Sequence, residues 1–147
     1  MGRFYADKLM IQFWEEVAFV DAFAEKDMME ALQSISSMIN RTEKAKEKFA
    51  QGTSQHTLQR NRLKALHIAS SLIIKNQQGD TVNDHTEEDL KNALAPITSL
   101  ISKSEKARAK LSQGTWQHTM LSNNLNALHI ALPLLTKALS EVDTEIK

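Results

Sequence analysis

The chain has 147 residues, 18 lysines plus arginines against 18 aspartates plus glutamates, five histidines and no cysteine. That length holds one domain with a substantial core. The missing cysteine excludes a disulfide framework and thiolate-bound metal, and the zero net charge offers no global attraction for nucleic acid. Four glycines and two prolines are too few turn formers for a β-sandwich or barrel, so residues 1–147 read as a single all-α domain.

Residues 1–25 read as an N-terminal helix rich in aromatics. Six of the eight aromatics fall there: Phe4, Tyr5, Phe13, Trp14, Phe19 and Phe23. Leu9, Phe13, Val17, Val20 and Ala24 form one apolar stripe, and Phe4, Ile11, Trp14 and Ala18 form part of a second. A helix docked on its own bundle needs one stripe. The second predicts another surface, most simply a second copy of the chain, with Phe4, Ile11, Trp14 and Ala18 as its interface. Asp7, Lys8, Glu15, Glu16 and Asp21 interrupt the apolar residues, so neither an export signal nor a membrane span is read. Met1-Gly2 opens like a myristoylation signal, but Ala6 stands where serine or threonine is required. Cytoplasmic residence is the expectation.

Residues 26–78 and 86–143 are two copies of one unit at an offset of 62. From Thr42 to Lys75 against Ser104 to Lys137, 19 of 34 positions are identical. Each copy reads as an αα-hairpin. Met28, Ile35, Thr42 and Phe49 with Ala31, Met38 and Ala45 give the first helix its core-facing stripe. Leu90, Ile97, Ser104 and Leu111 with Ala93, Leu100 and Ala107 repeat it. Gly52 or Gly114 is expected to end that helix in a left-handed conformation, and Thr53 or Thr115 to cap the next. The second helices, from about Ser54 to Asn76 and from Trp116 to about Glu141, carry apolar arcs wide enough for at least two neighbours. Two such hairpins predict a four-helix bundle, with the N-terminal helix as an additional fifth. Residues 77–85 link the copies, and Thr86 with Glu87, Glu88 and Asp89 starts the next helix. Pro96 and Pro133 occupy the places of Ser34 and Ser71. Each removes one helical hydrogen bond, at the carbonyls of Asn92 and His129, and is expected to bend copy two, either as drift or as a kink that opens a pocket.

Four histidines are paired by the repeat: His56 with His118, and His67 with His129. Within each helix they share a face 11 residues, or about 16 Å, apart. One pair cannot ligate one metal, and no acid lies between Lys48 and Gly79 or between Lys106 and Ser140, so no metal or cofactor is expected. Structural roles are preferred, with each ring packed at the edge of the apolar arc. In the first turn after the threonine cap, the rings of His56 and His118 are expected to accept a free backbone N–H. Arg60-Asn61 with His67 two turns on resembles the short motif of HEPN-type ribonucleases, small all-helical proteins that dimerise to pair their motifs. That resemblance implies phosphate binding by Arg60 and proton transfer by His67. Copy two has Ser122 in place of Arg60, and a solvated basic face is the preferred reading of this stretch.

The neutral sum hides blocks. Residues 1–30 hold seven acids and three bases; residues 48–79 hold five bases and no acid; residues 80–89 hold five acids and no base. The acidic first helix is expected to lie against basic helices, within the chain or across a dimer; a basic stripe free for RNA or phosphate is the alternative, and no symmetric basic groove is expected. The expected function is a small interaction or regulatory module, homodimeric through the N-terminal helix, with a further protein partner open. The alternative is an enzyme or ligand-binding bundle centred on His56, Arg60, His67, His118 and His129.

Overall fold

A computed structural model describes residues 2–79 and 84–146, with side chains at 25–79 and 84–142. The chain is an all-α helical bundle. It has four helices, α1 Gly2–Glu47, α2 Ser54–Gln77, α3 Glu87–Ala109 and α4 Trp116–Ile146, and no strand among the described residues.

The N-terminal segment is not a separate fifth helix, because α1 runs unbroken through residue 25. The repeat itself explains this. At the start of α3, Thr86 is the N-cap, and its hydroxyl accepts the backbone N–H of Asp89 at 3.1 Å. The position 62 residues earlier is Ala24, which has no oxygen to cap with, so nothing stops the helix there. The other junction behaves the same way. Gly79, at φ +69°, follows the end of α2, whereas its counterpart Glu141 lies inside α4, which continues to Ile146. At 1.5 Å per residue, α1 is about 69 Å long and α4 about 46 Å, against about 36 Å and 35 Å for α2 and α3.

The two hairpin turns share one geometry. The first helices end at Glu47 and Ala109, five residues before the glycines, so Gly52 and Gly114 do not terminate them as the sequence predicts. Each glycine instead sits in a four-residue turn closed by Thr53 N–H on the Ala50 carbonyl at 3.3 Å, or Thr115 N–H on the Ser112 carbonyl at 3.4 Å. Their φ angles of +86° and +90° suit the third position of a type II turn, where a side chain is strained. The threonine hydroxyl then works twice. It donates to the Ala50 or Ser112 carbonyl, at 2.7 and 2.9 Å, and accepts from the backbone N–H of His56 or His118, at 3.2 Å in both copies.

Around the bundle the helices pack in the order α1, α2, α3, α4 and back to α1, with α2 also against α4; α1 and α3 do not meet among the described residues. The cross-section is therefore a rhombus whose short diagonal joins the second helix of each hairpin. Ala65 and Ala69 on α2, and Ala127 and Ala131 on α4, are buried. Leu66, Ile73 and Leu128 from the same helices, with Ile35 from α1 and Leu90 and Ile97 from α3, are the largest fully buried side chains. Three neighbours for α2 and α4 account for the width of their apolar arcs. Pro96 and Pro133 both lie inside helices that continue past them.

Candidate functional site

The residues singled out in the sequence differ in exposure. His67, His129 and Arg60 are exposed, while His56 and His118 are half-buried beside their turns. The turn bond at the last two is made by the histidine backbone N–H and the threonine hydroxyl, not by the ring accepting a backbone N–H as expected. The His129 ring lies 3.9 Å from the Glu105 carboxylate of α3, both more than half exposed, a weak surface contact. Among the described residues no group of three or more histidines or acids could hold a metal ion. The side chains of Phe4, Ile11, Trp14 and Ala18 lie outside the described residues.

Two ion pairs join α2 to acids that follow residue 80. Lys64 of α2 holds Asp89 of α3 at 3.0 Å, and Lys75, its side chain only 15% exposed, holds Asp84 of the link at 2.6 Å. Two of the acids after residue 80 thus each offset one base of α2. Both carboxyls sit below the usual aspartate range, Asp84 chiefly through its hydrogen bond with Lys75 and Asp89 chiefly through its hydrogen bond with Lys64.

Two surface grooves of about 560 Å³ each run along the bundle, one between α2 and α3 and one between α1 and α4. They are lined by positions 62 apart. Lys64, Ala65, Ile68, Asp89 and Pro96 of the first groove correspond to Asn126, Ala127, Ile130, Asp27 and Ser34 of the second. Their chemistry differs. The α1–α4 groove carries the acids Asp27 and Glu30 and reaches His129. The α2–α3 groove carries Arg62, whose guanidinium Nε and Nη2 are buried with no hydrogen-bond partner. Burial of a charge in poorly solvating surroundings lowers the pKa of Arg62 from its ordinary value, and it remains a cation at any neutral pH. The residue at the matching position, Asn124, is buried at 7% exposure.

Along the sequence Arg62 is one of a basic run with Arg60 and Lys64. A signal was present. It lies four residues after Leu58 and three before Ala65, inside the apolar arc, where a cation must be either covered or paired. Trp116, 70% exposed at the first turn of α4, is another residue that composition alone does not single out.

Compared with known protein families, curated proteins and solved structures, the chain matches none. No helix among the described residues is long and apolar enough to cross a membrane.

Proposed function

We propose that this chain is a cytoplasmic interaction module, a duplicated αα-hairpin that works as a homodimer joined through the N-terminal half of α1. The observation that carries the reading is the length of α1: 46 residues against 24 in α2. A short turn makes these two helices antiparallel neighbours. Counted back from the turn, α2 runs out near residue 24 of α1, and the stretch before it holds six of the eight aromatics. A helix bearing apolar stripes on two faces is stable in water only when both are covered. A second copy covers them in the simplest way, since the same segment is offered by both chains around a twofold axis. The pairing of groove positions at an offset of 62 supports the duplication. The exposed Trp116 offers a further protein partner a separate anchor.

Light scattering tests the dimer. The intact chain at micromolar concentration is expected to give twice its 16.6 kDa mass, and Trp14→Ala combined with Phe4→Ala to give one chain mass with helicity retained. A monomeric wild-type chain refutes the reading, as does a dimer unaffected by the double substitution.

A further inference from the structure

Arg62 stands out in the α2–α3 groove. Its Nε and Nη2 are the two nitrogens whose N–H bonds point the same way, the side-on fork that grips both oxygens of a planar carboxylate. Both are shut off from the open groove without a partner, so a ligand in the groove reaches them only when the Arg62 side chain turns. The nearby acid Asp89 is already held by Lys64 at 3.0 Å, so Arg62, Lys64 and Asp89 leave the groove with one uncompensated positive charge. Pro96 and Asn92 line the same groove. Proline has no N–H, so the Asn92 carbonyl four residues back lacks its helical donor. Leu58, Ala65 and Ile68 supply apolar wall. A half-buried cation with two unmet N–H donors and an apolar wall thus lie around a volume of the size small-molecule sites take.

We propose that the α2–α3 groove binds a small organic monocarboxylate, its carboxylate forked by Arg62 and its hydrocarbon body laid against Leu58, Ala65 and Ile68. A single net positive charge matches a monoanion better than a phosphate dianion or a nucleic-acid backbone. The proposal is independent of the dimer reading. The chain also contains its own control. The α1–α4 groove is lined by Asn126 and Ser34 where this one has Lys64 and Pro96, and Asn124, outside that lining, stands at the position matching Arg62. Arg62→Asn therefore installs a residue that the same fold already accepts at the equivalent place.

The test is a titration of the full chain with straight-chain carboxylates from butanoate to octanoate, followed by the Arg62 Nε–H resonance and the backbone amides of α2 and α3. Hexanol supplies the body without the charge, and inorganic phosphate the charge without the body. Saturable shifts confined to this groove are expected, tightening about two- to fourfold per added methylene. Arg62→Asn and Arg62→Lys are each expected to weaken binding by about 10-fold or more, the lysine because it keeps the charge but loses the fork. Helicity by circular dichroism confirms that both variants fold. Absence of saturable shifts with octanoate overturns the proposal. So does equal binding by a folded Arg62→Asn variant, or binding of hexanol or phosphate as tight as that of hexanoate.

Discussion

A guanidinium with two buried, unpaired N–H groups should be a burden on the unliganded fold, and replacing Arg62 with methionine is expected to stabilise the chain. Each buried donor left without an acceptor costs about 1–3 kcal/mol. Arg62 is only half-buried overall, and the rest of its charge reaches water, so the full sum of two such penalties does not apply. Methionine keeps an unbranched apolar stem against Leu58 and Ala65 and removes the unmet donors. Replacing buried charge with apolar volume is commonly neutral to stabilising by a few kcal/mol. The net expectation is a gain of about 1–2 kcal/mol, or about 3–6 °C in Tm. Urea unfolding followed by circular dichroism at 222 nm, at one fixed protein concentration, measures it. The gain should shrink when hexanoate is present, because the ligand stabilises only the wild-type chain. A loss of more than about 1 kcal/mol without ligand would refute the reasoning, since it would mean that Arg62 holds the fold together through a partner.

The hairpin turns make a paired prediction. Gly52→Ala and Gly114→Ala should each cost about 1–2 kcal/mol, because an added Cβ meets nothing within 4 Å and only the backbone conformation is strained. Thr53→Ala and Thr115→Ala should each cost about 1 kcal/mol through the lost cap; unequal costs in the two copies would show that the turns are not equivalent. The acid limb of stability provides the last prediction. Asp84 and Asp89 have folded pKa values below their unfolded ones, so their contribution is present above about pH 4 and is lost as pH falls through the folded values. Acid unfolding should shift when both are replaced by asparagine, and an unchanged acid midpoint would remove these pairs from the account.

What the sequence determined by itself is what physics settles within a few residues. Helices follow from apolar spacing, the left-handed turn glycines from their missing side chain, and the caps at Thr53, Thr86 and Thr115 from a hydroxyl placed three residues before a free N–H. The unbroken α1 belongs to the same class. Ala24 in the place of Thr86 was legible, but the aromatic change of character near residue 25 suggested a boundary where no stop signal exists. What only the tertiary structure decided are relations between helices. Lys64 and Asp89 are 25 positions apart, and their pairing requires α2 beside α3. Each histidine pair shares a face of its own helix, yet His67 and His129 are exposed whereas His56 and His118 are half-buried. Arg62 reads like its neighbours Arg60 and Lys64 along the chain. Packing of α3 against α2 leaves Arg60 and Lys64 exposed and half-buries Arg62, since burial depends on which neighbour covers a helix face and no local pattern specifies that neighbour.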